Sequence, residues 1–237
     1  MNIIKLALVG KINEAYDSYS KVKEAVENAA SYLSVDVELL WIDSNSVNDS
    51  NVEAVLKQAN GIVLLGGFGN QGTEGMVATT RYARENNVSI LGICLGMQIM
   101  VIEFARSVLN YKTATSTEFD EQTKYPVIHR IAKQNDNQLR QGGYVVKLEP
   151  NSLAASIYNK ESIYETFRHG YEFNLDYENA FISNGLSITG RLQDNYGVEV
   201  VEIANHPFFI GVQYHPEFQS SINNPHPLFV GLLKKLM

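Results

Sequence analysis

Up to about Val108, apolar runs and helical periods alternate with short links, and this repetition limits the fold more than any other feature. Ile3 to Val9 reads as a buried strand. From Tyr19 to Leu33, apolar residues at three-and-four spacing (Val22, Ala25, Val26, Ala29, Ala30, Leu33) predict a helix. A strand over Val35 to Ile42, a short helix over Val52 to Ala59 and a third apolar run over Gly61 to Leu65 follow. Next come a helix over Thr73 to Glu85, a strand over Val88 to Ile93 and a helix over Gly96 to Val108. Strand, helix, strand repeated in this way predicts an α/β fold: a doubly wound, mostly parallel sheet with helices on both faces. Later runs (Val145–Leu148, Leu186–Leu192, Val198–Ile203, Phe208–Gln213) read as strands with few helices between them, fitting antiparallel additions to that sheet. The stretch from Thr113 to Gly143 is polar and aperiodic and is expected to form loops near the site, and a last helix is expected over Pro227 to Leu236. With 237 residues and no repeat or linker, one domain over 1–237 is expected.

Composition narrows the function. A net charge of −7 with scattered Lys and Arg argues against nucleic-acid or anionic-membrane partners. The single cysteine rules out an intrachain disulfide and argues against a structural metal site. The first ten residues are too short for a membrane span and lack a signal-peptide pattern, so a cytoplasmic protein is expected.

Three segments carry chemistry. In Leu91-Gly92-Ile93-Cys94-Leu95-Gly96-Met97-Gln98 an apolar strand runs through Gly-x-Cys-x-Gly into a helix, the cysteine counterpart of a nucleophile elbow. Such a turn is tight, and it sets the sulfur at a helix N-terminus, which favours thiolate. Alone, this pattern is equally a buried structural cysteine flanked by packing glycines. Gly211 to Phe218 then supplies His215 just past an apolar strand, with Glu217 two residues on. A cysteine nucleophile needs a base, and the base needs an acceptor on its other ring nitrogen. The two-residue period of an extended stretch would put His215 and Glu217 on one side. The glycine run Gly66-Gly67-Phe68-Gly69 follows a strand and can offer unhindered N–H groups. We assign the oxyanion donors to the N–H groups of Gly67 and of Leu95, directly after the cysteine. No Gly-Lys-Ser/Thr follows the glycines, which argues against a phosphate loop.

Together these segments resemble the class I (triad) glutamine amidotransferases, and among them the glutaminase domains of CTP synthases. The likeness runs from Leu6-Ala7-Leu8-Val9-Gly10-Lys11 to Pro225-His226-Pro227-Leu228-Phe229. It includes Ser116-Thr117-Glu118-Phe119-Asp120 and His206-Pro207-Phe208-Phe209. The resemblance implies a flavodoxin-like fold and a Cys94–His215–Glu217 triad acting on the side-chain amide of L-glutamine. It implies substrate contacts at Gly67, Phe68, Gln98, Glu118, Arg168 and Tyr171, with Glu118 on the α-ammonium, and neither a metal nor another cofactor. Ammonia would pass to a separate synthetase chain, since no Walker-type loop occurs in these residues. A homo-oligomer stays open.

Two stretches depart from the family. Where CTP synthases read close to Arg-His-Arg-His-Arg-Tyr-Glu, this chain has Thr166-Phe167-Arg168-His169-Gly170-Tyr171-Glu172. Gly170 replaces the arginine taken as the partner of the substrate carboxylate. Such a charge-assisted contact is worth roughly 1.5–3 kcal/mol, so glutamine binding would weaken about tenfold to a hundredfold. The room gained would suit a bulkier γ-glutamyl or amide compound, a second hypothesis. A third is a non-catalytic regulatory module on the same fold. The run Tyr144-Val145-Val146-Lys147-Leu148 departs from the family's Thr-Met-Arg-Leu-Gly, and GTP control is not expected. His129, His169, His206 and His226 are expected to be structural or surface residues, and Glu103 and Arg106 to pair along a helix face.

Overall fold

The computed structural model describes residues 3–12, 17–131, 139–193 and 197–237. Its first half follows the alternation in the sequence: β1 (Ile4–Gly10), α1 (Asp17–Leu33), β2 (Val37–Asp43), α2 (Val52–Leu56), β3 (Gly61–Leu64), α3 (Thr73–Glu85), β4 (Ser89–Ile93) and α4 (Leu95–Ser107). The second half contains β5 (Thr115–Ser116), β6 (Pro126–Arg130), β7 (Arg140–Leu148), α5 (Leu153–Tyr158), β8 (Ser162–His169) and β9 (Tyr171–Phe173). It closes with α6 (Glu178–Ser183), β10 (Ser187–Leu192), β11 (Val198–Glu202), β12 (Phe209–Val212) and α7 (Pro227–Leu236).

A nine-stranded sheet runs β2-β1-β3-β4-β12-β11-β10-β7-β8. The five strands from β2 to β12 are parallel, in the order of the flavodoxin-like doubly wound sheet, and β11, β10, β7 and β8 extend it antiparallel. Successive side chains of a strand point to opposite faces, so each central strand feeds two cores. On β1, Leu6 and Leu8 pack with α1 and α7 residues such as Val22, Val26, Leu228 and Leu232, whereas Ala7 and Val9 pack with Met76, Met97 and Met100 on the α3–α4 side.

Two expectations need correction. The polar stretch from Thr113 to Gly143 is not all loop: β5 and β6 join β9 in a three-stranded sheet, and β7 begins at Arg140. Residues 132–138 of that stretch lie outside the described residues. Glu103 and Arg106 do not pair with each other. Glu103 is fully buried and takes two hydrogen bonds from Arg84 of α3, at 2.9 and 2.8 Å, while Arg106 pairs with Glu74 at 2.8 Å. A carboxylate inside the α3–α4 contact is stable only with such a partner, and the partner comes from the facing helix.

Candidate active site

The site lies at the C-terminal ends of the parallel strands, where open α/β sheets place their ligands. Cys94 joins β4 to α4, and its N–H donates to the Val212 carbonyl of the neighbouring β12 at 2.8 Å. Its backbone has φ 53° and ψ −107°, a conformation that costs a non-glycine residue about 1–3 kcal/mol. The surrounding packing enforces it. A Cβ at Gly92 would sit 2.3 Å from Met100 Sδ, and one at Gly96 would sit 2.2 Å from the Leu64 carbonyl oxygen. Only glycines let α4 approach β3 and β4 closely enough to close this elbow.

Past β12, the His215 N–H donates to the Thr166 carbonyl of β8 at 2.8 Å, and Nδ1 of His215 lies 2.7 Å from Oε1 of Glu217. The two meet for a reason other than the period of an extended strand. Residues Pro216–Gln219 form a 3₁₀ turn that curls the carboxylate back beneath the ring. Glu165 of β8 holds that turn: it accepts from Gln219 Nε2 at 2.6 Å and from the Tyr158 hydroxyl at 2.7 Å, and it lies 3.1 Å from His226 Nε2. Both His215 and Glu217 are buried, and Nε2 of His215 has no hydrogen-bond partner among the described residues. Burial opposes an imidazolium here, but the facing Cys94 sulfur and the Glu217 carboxylate outweigh it and hold His215 well above the ordinary imidazole value.

Asp17, Ser18, Gly67, Phe68, Cys94, Arg168, His215 and Phe218 line a cavity of about 440 Å³. Of the residues singled out in the sequence, the structure therefore brings Cys94, His215, Gly67, Phe68 and Arg168 onto one cavity wall, with Glu217 directly behind His215. Leu95 opens α4, and its side chain comes within 3.4 Å of where a Gly67 Cβ would lie. Gln98 is buried, and its amide nitrogen is taken by the Tyr171 carbonyl at 2.9 Å and by Gln213 Oε1 at 3.2 Å. Glu118 accepts the Gly69 N–H at 2.6 Å, and the Tyr171 ring lies under the Arg130 guanidinium at 5.8 Å.

Gly170 sits elsewhere. Its carbonyl accepts the Ile131 N–H at 3.0 Å between β8 and β9, and it is not among the described residues lining the cavity. Arg168 does line the cavity, and its backbone carbonyl lies 4.0 Å from Cys94 Sγ. Larger concavities lie at the other end of the sheet, around Glu149, Thr189 and Glu202, away from Cys94.

Some neighbours of the site were assigned no role from the sequence. Gln213 is fully buried and its Nε2 approaches Cys94 Sγ at 3.8 Å. It shares strand parity with His215, the one clue available. Asp17 and Ser18 reach the cavity from the start of α1, and Phe218 from the 3₁₀ turn. Three of the four other histidines are buried and structural. His226 caps α7, His206 bridges the Ala83 carbonyl and the Phe208 N–H, and His169 accepts from Arg140 at 3.2 Å. Burial, with Arg140 and His215 close by, keeps His169 neutral, well below the usual imidazole value.

Comparison with known proteins agrees with this geometry. The family described as Glutamine amidotransferase class-I matches residues 14–235. The chain belongs to the class-I glutamine amidotransferases. The glutaminase domain of Trypanosoma brucei CTPS, solved with bound acivicin, superposes with a TM-score of 0.92 at 33% identity, covering 98% of this chain and 93% of that one. The CTP synthase of Caldanaerobacter subterraneus subsp. tengcongensis is 43% identical over 99% of this chain, and that of Thermosynechococcus vestitus 44% identical over 97%. The chain spans only 44% and 43% of the length of those two relatives. Among the described residues, no helix is long and apolar enough to cross a membrane.

Proposed function

We propose that this amidotransferase, acting as a single domain, hydrolyses the side-chain amide of L-glutamine through Cys94, His215 and Glu217. The observation that carries this reading is the buried His215. Glu217 fixes its Nδ1 at 2.7 Å, while its Nε2 is unpartnered beside the cavity that holds Cys94. The Cys94 thiolate attacks the amide carbon, forming a C–S bond and an oxyanion that the N–H groups of Gly67 and Leu95 stabilise. The imidazolium of His215 gives its proton to the departing nitrogen as the C–N bond breaks, and ammonia leaves a γ-glutamyl thioester. His215 then takes a proton from water, whose oxygen attacks the thioester to release glutamate and regenerate the thiolate. Glu217 keeps the ring oriented and stabilises its charged form throughout.

Arg168 on the cavity wall suits the α-carboxylate, and Glu118 suits the α-ammonium. The likeness to a CTPS glutaminase domain favours free L-glutamine, and Gly170 leaves a bulkier γ-glutamyl compound as the second reading. The likeness to CTP synthases supports delivery of the ammonia to a synthetase partner. A single nucleophilic thiol without a disulfide partner fits the reducing cytoplasm.

The test is glutamate release from L-glutamine by the purified protein, with Cys94→Ser alongside. Release that disappears in the variant supports the reading. Wild-type release no greater than that of Cys94→Ser contradicts it, and would favour another amide substrate or a non-catalytic module.

A further inference from the structure

The glycine loop that offers the Gly67 N–H is gripped by three side chains outside the triad. Tyr19 of α1 donates its hydroxyl to the Gly66 carbonyl at 3.1 Å. The ammonium of Lys11, just past β1, donates to the carbonyls of both Phe68 and Gly69. Glu118 accepts the Gly69 N–H at 2.6 Å. A trans peptide unit is flat, with its C=O and N–H directed oppositely. Holding the Gly66 oxygen therefore sets the direction of the Gly67 N–H. The Phe68–Gly69 unit is caught at both ends, its oxygen by Lys11 and its N–H by Glu118.

These groups are built in. Tyr19 is 5% exposed and Lys11 7%, and burying an ammonium is costly unless it is paired. Burial pulls the Lys11 pKa down and the Glu118 carboxylate opposes that fall. A Cβ at Gly10 would stand 2.8 Å from the Tyr19 hydroxyl oxygen, so the glycine at the end of β1 leaves the hydroxyl its space.

We propose that Lys11 and Tyr19 are positioning residues of the oxyanion loop, with Glu118 as the opposing jaw, and that together they hold the Gly67 N–H at the developing oxyanion before substrate arrives. The proposal rests on the reading of Gly67 as an oxyanion donor in glutamine hydrolysis. It implies that the loop donor is preorganised by side chains that do not touch the reacting atoms.

The test separates loop geometry from triad chemistry. Alkylation of Cys94 by iodoacetamide needs the thiolate and forms no oxyanion, whereas glutamine hydrolysis needs both. Tyr19→Phe keeps the ring beside Trp41 and removes only the hydroxyl, and Lys11→Met keeps the length of the chain without its charge. In each, kcat for glutamine should fall by about tenfold to a hundredfold with KM little changed, and Cys94 alkylation should stay within about twofold of wild type. Amide hydrogen exchange of residues 66–69 should quicken in both and in Glu118→Ala. In Glu118→Gln, whose side-chain oxygen still accepts the Gly69 N–H, exchange should remain slow. Unchanged kcat, or alkylation that falls in step with kcat, overturns the proposal. If wild type releases no glutamate at all, the glutaminase reading fails instead. Loop exchange then decides the clamp, and unaltered exchange in Lys11→Met and Tyr19→Phe overturns it.

Discussion

Replacing Glu217 by Gln isolates what its charge does for His215. The pair is 2.7 Å apart, with Glu217 2% and His215 6% exposed, so water does little to screen the contact. The amide oxygen of the substituted side chain can still accept from Nδ1–H, and the ring should keep its orientation. What is lost is the charge facing an imidazolium that must hold the proton meant for ammonia. A hydrogen bond to a charged group contributes about 1.5–3 kcal/mol, which corresponds to a fall in kcat of roughly tenfold to a hundred-and-fiftyfold. The same change moves the pH profile. Burial pushes the His215 pKa down, while the Cys94 sulfur and the Glu217 carboxylate push it up and prevail. Removing one of the two raising charges lowers the pKa, so the alkaline limb of kcat/KM should move to lower pH. Glutamate release measured across pH in wild type and Glu217→Gln provides the readout. An unchanged kcat, or an alkaline limb that stays put or moves upward, would refute the assignment of Glu217 to His215.

Three further outcomes follow from the geometry. Gly96→Ala puts a Cβ 2.2 Å from the Leu64 carbonyl oxygen, so β3 or α4 must shift. Overpacking of this kind costs about 1–3 kcal/mol in urea unfolding, and glutamate release should fall with it because Leu64 leads into the glycine loop. Glu103→Gln leaves Arg84 short of its main partner and should cost about 2–4 kcal/mol in urea unfolding, softened because Arg84 keeps 17% of its side chain in water. In that variant KM for glutamine should be unchanged. Since folding raises the pKa of His215, its proton stabilises the fold fully below the unfolded value of about 6.5, and that contribution is lost as pH rises through the raised folded value. The drop in urea midpoint on the alkaline side should shrink in Cys94→Ser, which removes one of the groups that raise it.

The parallel half was legible because β1, β3 and β4 are mostly apolar and α1 carries a buried apolar stripe at three-and-four spacing. α3 lies where the period put it, β1 is shifted by one residue at each end, and β4 starts one residue later. The elbow was legible for the same reason, as Gly92 and Gly96 are required by contacts that only a strand-to-helix turn makes. β8 was not. Its buried side is Ile163, Glu165, Phe167 and His169, so two of the four inward positions are polar and the apolar alternation is broken. Glu165 is satisfied by Tyr158, seven residues before it, and by His226 and Gln219 far along the chain, and Nε2 of His169 meets Arg140 from β7. No local window contains His226, Gln219 or Arg140. Glu103 misled for a related reason, as spacing along one helix said nothing of Arg84 on the next. Of the site, residues on motifs were readable. Gln213 and Phe218 lie on the Gly211–Phe218 motif but take their places by strand parity and a 3₁₀ turn, whereas Asp17 and Ser18 come from a helix start that the sequence does not single out.

The most direct test of the account is to mix the protein with L-glutamine, quench in acid and map the intact and digested masses. The account predicts a γ-glutamyl group on the peptide that carries Cys94, enriched in a His215→Ala variant supplied with a strong general acid, and absent from Cys94→Ser. Glutamate release in wild type with no covalent species on Cys94 under any quench, or release that persists in Cys94→Ser, would contradict it.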